Sequence, residues 1–389
     1  MARPAFQITR KVEPVQLLDT LIVLLRRYLP LVLQKTRITP EDVWQVLGYA
    51  ALRQQTIETA CSELAQAPSG NRLREVLLAA LPPLPQLQGQ LNRALRAQLP
   101  RALFKRRRPF RTAFDLVLIP YHGQPQAEAT ELLRADARSG TTHFHGYATV
   151  AIVHDKRRYT LGVYFVAAGQ TMAAIARRLL DRLKCLRIAI KRIYADAGFC
   201  SIGVLRLLDR RGLPYILPLP VRGRSGGVRK LFAAKKSYFG TYTLSSSEQG
   251  RYTVPVAVAQ RYLNGRYGKH GCAWFAFVVA GLPASATPAQ VFEWYRQRFG
   301  IESGYRQMHA VRARTASRSP VLRLLLVGLA LLLFNLYIAV RRTLTAHPSP
   351  QEHPDWLPFD QLMSALQRAI EDRFGCCSEF HLRAAALFS

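Results

Sequence analysis

The apolar periodicity of the chain changes near Arg111, and that change limits it to a few architectures. Before it the sequence reads as helical: Leu17 to Leu33 is a Leu-rich run broken at Pro30, and Thr39-Pro40-Glu41-Asp42 is a helix start. There a Thr cap, a Pro in the first turn and two acids meet the positive end of the helix dipole. After it, AFDLVLIPY (113–121), FHGYATVAIV (144–153) and RYTLGVYFVA (158–167) read as strands, with a polar loop over 122–142. The last two strands form a hairpin through His154-Asp155-Lys156-Arg157. A helix at 171–183, a strand at 187–195, a helix from Ser201 to about Arg211 and a strand at 214–220 follow. The order β-β-β-α-β-α-β predicts an α/β fold, a mixed sheet flanked by helices.

Residues 221–285 differ: they are Gly-rich and carry alternating strands such as SYFGTYTL and CAWFAFVVA, which reads as an all-β insertion. Residues 288–309 read as a helix, and LLLVGLALLLFNLYIAV (324–340) as a second, uniformly apolar one. Its 17 residues between Arg323 and Arg341 are at the lower limit for a membrane span, and Asn335 lies inside. A buried core helix carries the same signature. No second hydrophobic segment accompanies it, so no membrane is expected. Prolines 348, 350 and 354 mark a linker before an amphipathic helix at 359–374. The expected organisation is a helical domain at 1–104, a sheet core in two parts (105–220 and 286–345) around the insertion at 221–285, and a helical tail at 346–389.

Within the first domain, TIETACSEL, a turn at 67–71 and RLREVLLAAL form a helix-turn-helix pattern, with Arg72 and Arg74 leading the second helix. A plain helical bundle gives the same pattern. The charge balance points to a polyanion: 55 Lys and Arg stand against 24 Asp and Glu, a net +31. Nucleic acid fits best, because phosphate neutralisation releases counterions. Lys105-Arg106-Arg107-Arg108, just ahead of the first strand, reads as a phosphate-contacting segment or a domain joint. The six cysteines show no CxxC spacing, which argues against structural zinc, and no N-terminal apolar run marks a signal peptide. A reducing cytosol is the expected compartment.

With acids so scarce, three stand out. Asp115 is the only charge in its apolar strand, and burying an unpaired carboxylate costs kilocalories. Asp196 follows the end of a strand, the edge at which open α/β sheets bind ligands; it could also simply cap a helix. Glu302 shares a helical face with Tyr295, Arg298, Tyr305 and His309, at steps of 3, 4, 3 and 4, and could instead pair with Arg298 or Arg306. Together the three would converge at one edge of the sheet. Three carboxylates with open positions suit two Mg²⁺ (or Mn²⁺) ions, hard cations that share phosphate oxygens.

These residues carry a resemblance. The chain is similar to DDE insertion-sequence transposases, and within them to the insertion-sequence-four-like group marked by Tyr-(2)-Arg-(3)-Glu-(6)-Lys. Tyr295, Arg298 and Glu302 match its first three positions; FDLVLIPYHG resembles the first-aspartate strand and IYADAGFCS the second-aspartate turn. His309 stands where the group has Lys, and Arg306 or Arg312 could take over its phosphate contact. The resemblance implies an RNase H-like core and a metal-dependent enzyme that cleaves element ends and transfers the 3′-OH strand into target DNA. It implies catalysis by Asp115, Asp196 and Glu302, DNA held by Tyr295 and Arg298, and a homodimer on double-stranded terminal repeats. Its place would be the prokaryotic cytoplasm, at the nucleoid. A nuclease on the same core without strand transfer and a non-catalytic DNA-binding protein are the alternatives.

Overall fold

The structure, a computed structural model, describes residues 13–34, 36–100, 109–154, 157–262, 264, 271–296, 298, 308–345 and 357–377. It begins with helices α1 (Pro14–Tyr28), α2 (Pro40–Leu52), α3 (Ile57–Glu63), α4 (Gly70–Ala80) and α5 (Leu84–Ala97). Strands β1 (Phe110–Pro120), β2 (Leu133–Arg138), β3 (Thr141–His154) and β4 (Arg157–Val166) come next. Then follow α6 (Met172–Cys185), β5 (Ile190–Tyr194), α7 (Ile202–Arg210), β6 (Tyr215–Pro218), β7 (Tyr238–Ser246), β8 (Gly250–Tyr262) and β9 (Cys272–Ala280). The last helices are α8 (Pro288–Arg296), α9 (Pro320–Thr345) and α10 (Phe359–Phe374). Two compact units result: a helical one drawn from both ends (1–97, 307–317, 321–389) and one built on a sheet (98–306, 318–320).

In the helical unit, α2 starts with a reciprocal cap. The Asp42 N–H donates to Thr39 Oγ1 at 3.1 Å, and the Thr39 N–H donates to the Asp42 carboxylate at 2.8 Å. Arg373 of α10 pairs with Asp19 of α1 and lies 3.5 Å from Glu41 of α2, so the last helix staples the first two. Beyond α10 the backbone meets the segment after α3: the N–H groups of Ala65 and Gln66 donate to the carbonyls of Gly375 and Phe374, both at 2.9 Å. The buried Tyr49 hydroxyl is 3.1 Å from carboxylate oxygens of both Glu63 and Glu371. It has one proton for two anions. Tyr49→Phe, which removes the shared donor and leaves two acids facing each other, should lower stability by about 1–2 kcal/mol in urea unfolding. An unchanged midpoint would mean the acids are satisfied without it.

Residues Pro320–Arg341 of α9 are long and apolar enough to cross a membrane, yet 94% of an 18-residue apolar window within them is buried inside the protein. Gly328 explains part of its seat: a Cβ built there would overlap the Leu91 side chain of α5. The two helices approach at the one position without a side chain.

The sheet unit holds nine strands in the order β2-β3-β1-β5-β6-β9-β8-β7, with β4 beside β3. β1, β5 and β6 are parallel neighbours, whereas β1–β3 and the β6–β9–β8–β7 run are antiparallel, which makes the sheet mixed. The strands of 221–285 therefore extend the core sheet through β9, where Val279 sits opposite Ile216 of β6. Strand β2 lies in the segment the sequence reads as a polar loop. LRADAR does alternate, but its apolar face is one Leu and two Ala, because the strand is an edge exposed on most of its length, paired to β3 only near its ends. Thr171 caps α6 through the Ala174 N–H at 3.2 Å, while Ser201, at the start of α7, makes no side-chain cap bond.

Candidate active site

β1 and β5 run parallel with Ala113 opposite Tyr194, so two residues further on Asp115 stands level with Asp196. Asp196 lies just past the carboxyl end of β5, and Asp115, midway along β1, lies just past the last rung that β1 shares with β5. Asp115 also accepts the N–H of Leu116 at 2.9 Å. Asp196 is half-buried, and its Oδ1 is sealed from solvent with no hydrogen-bond partner among the described residues. Burial and then the Asp115 charge push its carboxyl up from 3.8 to about 6. The Arg298 guanidinium and the N–H groups of Phe199 and Gly198 pull the other way. Gly198 leaves that oxygen its room: a Cβ there would stand 3.1 Å from Oδ1.

Helix α8 covers the face that carries these acids. Its Tyr295 hydroxyl donates to the Ala195 carbonyl at 3.2 Å, and its ring packs edge-on against Tyr194 (6.5 Å) and tilted against Phe277 (5.0 Å). Arg298, beyond the end of α8 and buried, places its guanidinium carbon 5.2 Å from the Tyr295 ring centre. Asp115, Asp196, Tyr295 and Arg298 are thus gathered at one end of the sheet. A clamp the sequence reading missed fixes the same helix: buried Arg192 of β5 has its guanidinium carbon 4.3 Å from the Trp294 ring centre, a desolvated cation–π contact. An Arg inside the strand RIAIKRIYA was the available signal. Glu293 is used structurally, pairing with Arg261 (3.2 Å) and Arg296 (2.8 Å).

The other expected residues fall elsewhere. Glu302, Arg306, Arg106, Arg107 and Arg108 lie outside the described residues. His309 and Arg312 belong to the helical unit, where partial burial and the Arg312 charge push the imidazole pKa down. Arg74 pairs with Glu58 at 2.6 Å and Arg72 with Glu75 at 3.4 Å, so both guanidiniums have carboxylate partners within the helical unit. Among the described residues no three His, Cys, Asp or Glu side chains cluster as metal ligands; two acids meet, Asp115 and Asp196.

The family described as Transposase DDE domain matches residues 111–336, more than half of the chain. The chain belongs to the DDE transposase family. Its match starts at β1, includes Asp115, Asp196 and α8, and extends into α9. A piggyBac transposase, solved as a synaptic complex with hairpin DNA, has a similar fold: TM-score 0.58 over 97% of this chain and 84% of that one, at 11% identity. That likeness and the nine-stranded mixed sheet agree with the RNase H-like core expected of a DDE transposase. No curated protein matches by sequence.

Proposed function

We propose that this DDE transposase cuts DNA at the ends of a mobile element and joins the freed 3′-OH to target DNA, using Asp115, Asp196 and Glu302. The observation that carries the reading is the Asp115–Asp196 pair, two acids held level on adjoining strands although each disfavours the charge of the other. A fold that keeps such a pair has a cation for it. The donors are hard carboxylate oxygens, one of them without a hydrogen-bond partner among the described residues, which fits Mg²⁺ or Mn²⁺. Glu302 would complete the set, six residues past the end of α8. Two such ions, when bound, supply activation of the attacking oxygen and neutralisation of the leaving one. The chain's own share is position and charge: Arg298 offers a buried cation beside Asp196, and Tyr295 anchors the helix that ends two residues before it.

The spacing of Tyr295, Arg298 and Glu302 supports the insertion-sequence-four-like subgroup. Duplex DNA is the partner, as element ends and as target, with a homodimer holding paired ends; the net +31 charge supports this, as does the DNA in the piggyBac complex. The cytoplasm, at the nucleoid, is the corresponding location. The test is a cleavage and joining assay on a duplex carrying the element end, with Mg²⁺ or Mn²⁺, comparing wild type with Glu302→Gln. Wild type should yield nicked DNA and a joined donor–target product, and the variant neither. Nicking without joining would leave a simple nuclease. DNA binding without cutting by either protein would end the enzymatic reading.

A further inference from the structure

The segment between β6 and β7 departs from the sheet beside the candidate acids. Tyr194 of β5 pairs with Ile216 of β6, so Asp196 is level with Pro218, and the chain leaves the ladder just after it. Residues 221–236, VRGRSGGVRKLFAAKK, then hold six cations and no acid. All six, Arg222, Arg224, Arg229, Lys230, Lys235 and Lys236, are exposed, and none has a carboxylate partner among the described residues. Elsewhere in the described chain Arg72, Arg74, Arg211, Arg261, Arg296 and Arg373 each meet an acid. Here the charges repel one another with nothing to offset them.

The segment is nevertheless built. Arg229 donates to the Gly223 carbonyl at 3.0 Å, and the Tyr238 hydroxyl to the Leu231 carbonyl at 3.1 Å. Phe232 stacks on Trp274 of β9, 6.4 Å between ring centres and 18° from parallel, and Val228 is buried beneath. Gly223, Gly226 and Gly227 have φ of +71°, +73° and +51°, a conformation L side chains rarely adopt, and so give the strap its tight path. At its root a cavity of about 290 Å³ places Arg222, Tyr242, Ser245 and Gln249 beside apolar Ile202 and Leu219.

We propose that residues 221–236 form a docking strap for the phosphate backbone of duplex DNA, holding the helix where its strand crosses Asp115 and Asp196. The strap rests on the transposase reading and adds to it a contact surface. Exposed cations on a segment that leaves the sheet just past the level of Asp196 concentrate a polyanion on that side and counter the repulsion that two carboxylates would otherwise present to it. Arg229 is the strap's internal pin; the other five cations are free to meet phosphates.

The test is duplex binding in EDTA across 50–200 mM salt, for wild type and for Arg222→Gln/Arg224→Gln/Lys235→Gln/Lys236→Gln. Each lost phosphate contact flattens the logarithmic salt slope by about 0.9, so the variant should lose about 2–4 in slope and bind roughly 100- to 10,000-fold more weakly at 100 mM. The loss should be uniform across DNA sequences. Should the fourfold variant fold poorly, the two double variants, Arg222→Gln/Arg224→Gln and Lys235→Gln/Lys236→Gln, should each show about half the loss at an unchanged melting temperature. An unchanged slope in a folded variant overturns the strap, as does a loss confined to single strands, or a wild type that binds no duplex. Cleavage is read separately: a wild type that cuts while the strap variant binds equally well removes the strap alone. Strap-dependent binding by a wild type that never cuts removes only the enzymatic reading.

Discussion

Asp196→Asn is expected to cut metal-dependent DNA cleavage by about 10³-fold or more, roughly 4 kcal/mol of barrier, while making the metal-free protein more stable. The two effects share a cause. In the folded chain the Asp196 carboxyl is raised from 3.8 to about 6, because it is half-buried and faces Asp115. A raised carboxyl keeps its proton in the folded state after the unfolded chain has released it. Stability therefore falls as pH climbs through the window between 3.8 and about 6, and above it the ionised group is a standing cost of about 1–3 kcal/mol. Asn is neutral throughout. In EDTA the variant should melt higher than wild type at pH 7.5, and the difference should shrink towards zero near pH 4. A variant that is less stable at both pH values would show that the Asp196 charge is already compensated without metal. Added Mg²⁺ should narrow the gap by stabilising wild type only.

Gly328→Val is expected to destabilise the helical unit by about 2–3 kcal/mol, because a side chain at that position runs into Leu91 of α5. Val adds a branched Cβ to a buried helix with no space for the first carbon. Gly328→Ala should cost less, since the obstructing atoms are the flexible end of a leucine. The diagnostic measurement is a double-mutant cycle in urea with Leu91→Ala. That change alone leaves a cavity and costs about 2–5 kcal/mol, but in the Gly328→Val background the new side chain should fill part of it. A favourable coupling of at least about 1 kcal/mol is expected. Simple additivity would refute direct contact as the reason for Gly328.

How much could be read beforehand differs by residue. Asp115 and Asp196 were legible because a lone acid in an apolar strand, and an Asp-Ala-Gly after another, are local signals. Their meeting depends on which strands are neighbours, and element order does not settle it: the helix before β5 follows β4, yet β5 lies beside β1. The position of β7–β9 was not legible: alternation announces strands without saying which sheet they join, and only the β6–β9 pairing makes them part of the core. Strand β2 was hidden because its alternating face, one Leu and two Ala, is weak and sits in a polar stretch, as an exposed edge allows. The partner of Arg72, Glu75, is a local i,i+3 neighbour, whereas nothing local reveals that Glu58, sixteen residues before Arg74, closes on Arg74. The strap at 221–236 had a plain signal, six cations without an acid, which glycine content and neighbouring strands obscured. For α9, uniform apolarity fits lipid and protein interior alike, and Gly328 distinguishes them only once its partner helix is known.

The closure of α10 onto α1, α2 and the segment after α3 sets an order on biosynthesis. The N-terminal helices leave the ribosome first, but their partner is encoded more than 300 residues later. They must wait, with the apolar faces of α1 and α2 open, while the sheet unit is made and can already fold. In a cell, those helices wait for about 15–60 s and are where a holding chaperone would be needed most.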